Sequence, residues 1–343
     1  MSMADGALSA KAKAMYGHRL KEKDYLELLK KRSVSEVTAY LKSETVYQSC
    51  LKDVQERSVH RGQLEKLLRR NMFDRLFQLY RYAGKKQEAF YKMTLKQVEI
   101  HLILNRIGAI RSHDINSAIA DMPLYLNAFM DIPLDQLIAV YTFDELLAVL
   151  NKTIYKEVFQ SYDLHEEALD YTALETELQR SYFRHVFCTI DQLFHGKTKK
   201  DLHTIVATSV ELSNITKLYR LKKFYHESEA NIRHALIDYP SRLSRKVMED
   251  MIAAPDAKAL LAILADSAYK IFADDDDYVY IEYYADKITY RVAKRFMYFS
   301  SVAPLVFSAY QQLLNLEVNN LITLIEGVRY GIPSDEVQSM LIY

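Results

Sequence analysis

The sequence predicts an all-α protein made of three similar helical-bundle domains, and three observations lead there. Glycine and proline number only eight and six among 343 residues, well below the usual ~7% and ~5%, so long uninterrupted helices are expected. The β-branched residues occur singly at helical spacing, without the two-residue alternation between glycine turns that marks strands. One helical phrase also occurs three times: Glu99-Ile-His-Leu-Ile-Leu-Asn-Arg, Glu211-Leu-Ser-Asn-Ile-Thr-Lys-Leu and Glu317-Val-Asn-Asn-Leu-Ile-Thr-Leu, with the glutamates 112 and 106 residues apart.

Two further landmarks keep the same period. Leu64-Glu65, Leu174-Glu175 and Ile281-Glu282 precede the three glutamates by 34, 36 and 35 residues. Upstream of those stand Leu41 with Thr45 and Tyr47, Leu150 with Thr153 and Tyr155, and Leu264 with Ser267 and Tyr269. Self-similarity at a fixed period has to be recognised before a fold is assigned. A period of about 110 residues is a small domain rather than a solenoid unit. The expected domains are residues 1–122, 123–240 and 241–343.

Taken in order, residues Leu8 to Lys31 form a charged helical pattern with Leu20, Tyr25, Leu28 and Leu29 as a partial stripe. Ser33 is placed to cap the next helix, with Glu36 completing a capping box. Helices are expected over 34–41, 45–56, 60–82 and 85–110, followed by a connection from Asp114 to Asp121 and breaks at Pro123 and Pro133. The second copy starts near Leu134, with helices over 142–162, 171–193 and 199–230. Pro240 and Pro255 flank the junction to the third, whose helices are expected over 256–272, 278–298 and 304–328. A last short helix begins at Pro333-Ser-Asp-Glu, where proline in the first turn and acidic residues at the positive helix end are both favoured.

The repeated phrase carries polar residues on an apolar face. Glu211, Asn214, Ile215 and Leu218 follow i, i+3, i+4, i+7 spacing, as do Glu317, Asn320, Leu321 and Leu324. Burying such groups without partners costs several kcal/mol, so Glu99, Glu211, Asn214, Glu317 and Asn320 are expected to form polar clamps to neighbouring helices, with tyrosine hydroxyls as natural partners. The first copy diverges, with Leu102 in place of the asparagine and Arg106 where the others have Leu218 and Leu324.

Charge and motifs argue against several functions. The 45 basic and 45 acidic residues balance, so no bulk attraction to nucleic acid or anionic lipid follows. Cys50 and Cys188 lie in different copies, which suggests neither a disulfide framework nor a zinc site and fits a reducing cytoplasm. No signal-peptide architecture or membrane-spanning run is evident, so any membrane association is expected to be peripheral. Gly196-Lys197-Thr198 matches only the end of a phosphate-binding loop, because Asp191 stands where a glycine is needed and a helix is expected where a strand should precede it. The Asp274 to Asp277 run lacks the alternating ligands and glycine of a calcium loop. Ten histidines show neither H-E-x-x-H nor E-x-x-H spacing, and His165-Glu-Glu and His226-Glu-Ser-Glu resemble exposed helix ends. Tyrosine is abundant at 26 residues, which at helical core spacing favours packing and protein interfaces over base stacking. No cofactor, metal, nucleotide or catalytic site is expected.

The order of these features resembles the C-type stalk component of the bacterial and archaeal V/A-type rotary ATPases, a relative of the d-type component of the eukaryotic vacuolar enzymes. The resemblance spans nearly the whole chain. It is carried by Ala10-Lys-Ala-Lys-Ala-Met-Tyr with Tyr25-Leu-Glu-Leu-Leu, the Val34 to Tyr47 block, the Glu211 to Phe224 phrase, and Glu317-x-x-Asn320 through Gly327 to Gly331-Ile-Pro-Ser-Asp-Glu-x-x-x-x-Leu341. It implies three domains about a pseudo-threefold axis forming a funnel. It also implies a non-catalytic coupler, one copy per complex, between the axle of the soluble ATPase head and the membrane rotor ring. Thr216 and Ile322 stand where the family often has a basic residue. A basic lining would then rest on Arg220, Lys222, Lys223 and Arg329, which are equally readable as a solvated face. The competing reading is a helical adaptor of another assembly, and an enzyme ranks behind both.

Overall fold

The computed structural model describes residues 3–113, 123–165, 169–239, 242–271 and 281–343, and all regular structure among them is helical. The Asp114 to Asp121 connection, Glu166 and Glu167, Pro240, the Asp274 to Asp277 run and the expected helix start at Tyr278 lie outside the described residues.

Two compact units are present, one formed by Met1–Gly84 with Ala257–Tyr343 and the other by Lys85–Asp256. These units are defined by packing, whereas the boundaries 1–122, 123–240 and 241–343 are defined by recurrence of sequence. The first unit holds α1 (Met3–Gly17), α2 (Glu22–Leu28), α3 (Val34–Glu44), α4 (Gln48–Leu51) and α5 (Arg61–Tyr80). The second holds α6 (Glu88–Ser112), α7 (Leu134–Ile138), α8 (Phe143–Leu150), α9 (Lys156–Gln160), α10 (Tyr171–Leu193), α11 (Gly196–Arg220), α12 (Glu229–Ala235) and α13 (Arg245–Ala253). The chain then returns to the first unit with α14 (Ala257–Asp266), α15 (Ile281–Phe299), α16 (Ala303–Tyr330) and α17 (Ser334–Met340).

In the first unit α16 is the central post, packed against α15, α1, α5 and α17. Every residue from Ala303 to Tyr310 is buried, as expected for a helix apolar on all sides. Pro304 sits in its first turn, and Gly331 ends it at φ +66, a left-handed conformation that glycine adopts without strain. The amide of Ile332 then returns to the Gly327 carbonyl at 2.9 Å. Gly327 also permits close approach of α17, since a Cβ there would stand 2.4 Å from Val337 Cγ2. In the second unit α10 packs against both α6 and α11.

Several helices start where their caps are. Glu36 N–H donates to Ser33 Oγ at 3.2 Å, although the Glu36 carboxylate reaches back to the Arg32 amide rather than to that of Ser33. Thr142 and Glu145 form a reciprocal capping box, at 3.3 and 3.1 Å. Four expected helical stretches are altered by local chemistry. The Leu8 to Lys31 pattern is interrupted between α1 and α2, where the Leu20 amide leaves the helix for a side-chain acceptor. The stretch 142–162 is cut at Thr153, and the stretch 45–56 is reduced to Gln48–Leu51 because Thr45 closes α3. The stretch 199–230 starts earlier, at Gly196, and gives way to a π turn at Leu221–Tyr225, a left-handed His226 and a new helix capped by Ser228.

Candidate functional site

Each threonine or serine of the upstream landmark makes the same turn. Thr45 Oγ1 donates to the Leu41 carbonyl at 2.6 Å and accepts from the Tyr47 amide at 3.2 Å. Thr153 does this with Leu150 and Tyr155 at 2.7 and 3.2 Å. Ser267 does it with Leu264 and Tyr269 at 2.7 and 3.2 Å. The hydroxyl satisfies a carbonyl that the ending helix leaves unpaired and turns the chain so that the tyrosine two residues on points inward. Tyr47, Tyr155 and Tyr269 are all buried.

The three glutamates are buried too, and each receives backbone amides from a segment that leads into a short helix. Glu99 Oε1 accepts the amides of Asp131 and Ile132, just before α7. Glu211 accepts from Arg242 at 2.9 Å and Leu243 at 3.2 Å, just before α13. Glu317 Oε2 accepts from Leu20 at 2.9 Å, just before α2. Glu317 Oε1 also takes the Tyr47 hydroxyl at 2.7 Å, with buried Arg75 Nη1 at 3.5 Å. A buried carboxylate receiving N–H donors is stabilised while it rigidifies the donor loop.

The asparagines form two matching clamps. Asn214 Nδ2 donates to the Ile237 carbonyl at 2.5 Å and its Oδ1 accepts the Ile237 amide at 3.0 Å. Asn320 does the same with Ile342, at 2.6 and 3.1 Å, and Nδ2 also reaches the Tyr25 hydroxyl at 3.3 Å. A side-chain amide here replaces a missing backbone partner, so the segments after α12 and α17 are held without a strand.

The first copy, with Leu102 buried where the asparagine would be, is electrostatically different. Burial pushes the Glu99 carboxyl up to about 7, against the opposing pull of its two amide bonds and of Lys96. Lys96 pairs with Asp131 at 2.5 Å, tying the same loop to α6 a second time. Beside Glu99, burial and the carboxylate together raise the Tyr155 phenol well above its ordinary value.

The four basic residues separate into two kinds. Lys222 is 7% exposed, and its ammonium donates to the Ala254 carbonyl at the end of α13. Burial lowers its pKa. Arg106, buried as well, donates to the carbonyls of Leu137 at 2.7 Å and of Ile138 at the end of α7. Each cation thus lies at the negative end of a short helix, where positive charge is favoured, and Lys222 differs from the lining residue expected of it because its head group is engaged inside the fold. Arg220 and Arg329 are exposed and Lys223 half-buried. Lys223 donates to the Tyr219 hydroxyl at 2.9 Å, and Arg329 lies 5.4 Å from the Tyr330 ring centroid. Around them the exposed aromatics Phe224 and Tyr225 follow α11 and Tyr330 closes α16.

Arg75, Lys96 and Asp131 belong to these clusters without having been singled out by the sequence, and Leu20 is marked there only as part of an apolar stripe. For Lys96 the signal was its place one helical turn before Glu99. Arg75 sits in a charged stretch and carries no such mark. Among the described residues no group of three His, Cys, Asp or Glu side chains could hold a metal ion. No described helix is long and apolar enough to cross a membrane.

A family model described as ATP synthase (C/AC39) subunit matches residues 8–340. No curated protein matches the chain.

Proposed function

The chain belongs to the C/AC39 subunit family of V/A-type ATP synthases, and on that premise we propose that it is a non-catalytic central-stalk subunit. In this reading one copy joins the rotating axle of the soluble ATPase head to the membrane rotor ring during proton or sodium translocation. The single observation that carries it is the family match, which runs from residue 8 to residue 340 and so takes in both packing units and all three copies of the repeated phrase. In the same reading the subunit is a peripheral component at the cytoplasmic face of the membrane.

The physical character of the fold is consistent with this work. A part that transmits torque needs elements that do not shear past one another, and hydrogen-bonded buried polar groups rigidify a core. The reading includes three domains, at residues 1–122, 123–240 and 241–343, arranged as a funnel about a pseudo-threefold axis. The three Thr/Ser-x-Tyr turns and the three buried glutamates support that division. In it the carboxylate of each copy grips the lead-in segment of the next, with Glu317 serving Leu20 at the start of the chain. Glu99, Glu211, Asn214, Glu317 and Asn320 are its internal clamps, and Arg220, Lys223 and Arg329 are the candidate contacts to axle or ring.

Deletion of the subunit from the complex tests the proposal. The soluble head is expected to keep hydrolysing ATP while the membrane ring no longer co-purifies with the axle. A ring that stays attached in its absence overturns the coupler reading.

A further inference from the structure

We infer that the first unit binds an internal water molecule between Arg75, Tyr310 and Glu317. The three side chains line a cavity of about 30 Å³ walled by α1, α2, α5, α15, α16 and the segment after α17. That volume exceeds the ~10–15 Å³ that one water requires by this measure, and the remaining condition is two to four polar partners.

Those partners are present. Tyr310 is 2% exposed, and its hydroxyl meets no hydrogen-bond partner in the protein. Buried polar atoms are nearly always satisfied, so an orphan of this kind calls for a partner. Arg75 and Glu317 both act on it electrostatically: burial raises the phenol to about 12, with Arg75 pulling it down and Glu317 pushing it up. Glu317 Oε1 has the Tyr47 hydroxyl at 2.7 Å but Arg75 only at 3.5 Å, longer than the ~2.7–2.9 Å of a strong charge-assisted bond. The carboxylate oxygen therefore retains capacity for another donor.

A water fits this set in a way other small ligands do not. It accepts from Tyr310 Oη and from the Arg75 guanidinium and donates to Glu317 Oε1, so each group gains a complementary partner. An anion would face the Glu317 carboxylate. An apolar filler would leave the Tyr310 hydroxyl unpaired. The water then joins α5 to α16 beside the direct but long Arg75 to Glu317 contact, at the point where Glu317 also holds Leu20.

A crystal structure of the full chain at a resolution that shows ordered solvent tests the site, together with oxygen-17 relaxation dispersion of the wild type and Tyr310→Phe in solution. Density within hydrogen-bond distance of both Tyr310 Oη and Glu317 Oε1 is expected, and Tyr310→Phe should lose one long-lived water relative to wild type. A dry cavity overturns the inference, as does an unchanged count of long-lived waters in the folded variant. An anomalous peak in the cavity after a bromide soak would replace the water by an anion and overturn it equally. If Tyr310→Phe does not fold, the wild-type density decides.

Discussion

Replacing Glu99 by glutamine should make the protein less sensitive to alkaline pH, by an amount that follows from its burial. Glu99 is fully buried, and its carboxyl is raised from 4.5 to about 7. At ~1.4 kcal/mol per pH unit this displacement corresponds to about 3 kcal/mol. The sign follows from linkage: a carboxyl whose folded pKa lies above its unfolded value binds its proton more tightly in the folded state. The stabilisation by that proton is complete below pH 4.5 and is lost as pH rises through about 7. Glutamine cannot ionise, yet its carbonyl can still accept the Asp131 and Ile132 amides that Glu99 Oε1 accepts. Groups facing this site from other elements, Asp131, Tyr155, Tyr182 and His185, and Lys96 on α6 itself, are present in both proteins. Denaturant unfolding of wild type and Glu99→Gln across pH 4 to 8.5, on the order of ten points, gives the difference curve directly. The variant should gain about 3 kcal/mol on wild type between the two ends. A flat difference curve would refute the reasoning and mean that the two amide bonds and Lys96 outweigh desolvation.

Four further substitutions have outcomes set by the geometry. Asn320→Ala removes both bonds to Ile342 and should lower stability by about 1–3 kcal/mol; unchanged thermal stability with weakened axle binding would instead move this residue to an interface. Gly327→Ala places a methyl 2.4 Å from Val337 Cγ2 and should cost about 1–3 kcal/mol through overpacking, with Val337→Ala in the same chain recovering part of the loss in a double-mutant cycle. Lys222→Ala leaves the Ala254 carbonyl without its ammonium donor and should cost about 1.5–3 kcal/mol of stability, whereas Arg329→Ala, on an exposed side chain, should stay within about 0.5 kcal/mol.

The helical class and the longest elements were legible because low glycine and proline content and 3.6-residue periodicity are local properties. The ends of helices were less so. Thr153 sits inside a pattern that reads as continuous helix and Thr45 at the expected start of one, yet each hydroxyl closes a turn. A threonine in a helical pattern can equally remain in the helix and bond back to the carbonyl four residues earlier, as Thr176 does with Thr172 at 2.8 Å. Nothing local separates these outcomes. Burial of Glu211, Asn214, Glu317 and Asn320 was legible from their apolar neighbours, but their partners were not. The expected tyrosine hydroxyl appears at Glu317, through Tyr47, and at Asn320, through Tyr25. The other acceptor bonds come largely from backbone amides about 20 to 30 residues downstream, and every residue but proline has one.

Basic residues at helix ends show why charge in sequence is a weak guide to interface. Lys222 and Lys223 are adjacent and identical in type, but the π turn directs one inward to Ala254 and leaves the other beside Tyr219 and exposed Phe224. A lysine stem can be buried while its head caps a carbonyl, so the same residue serves packing or recognition according to one helical step. Arg106 on α6 makes the capping choice at the end of α7 that Lys222 makes at the end of α13. The two positions do not align in the repeated phrase, since Arg106 lies seven residues after its glutamate and Lys222 eleven. Both copies nevertheless meet the same requirement, a cation at the C-terminal carbonyls of a short helix. Function-bearing charge is therefore better sought at Arg220 and Arg329, which are exposed, and at half-buried Lys223 than at buried Lys222.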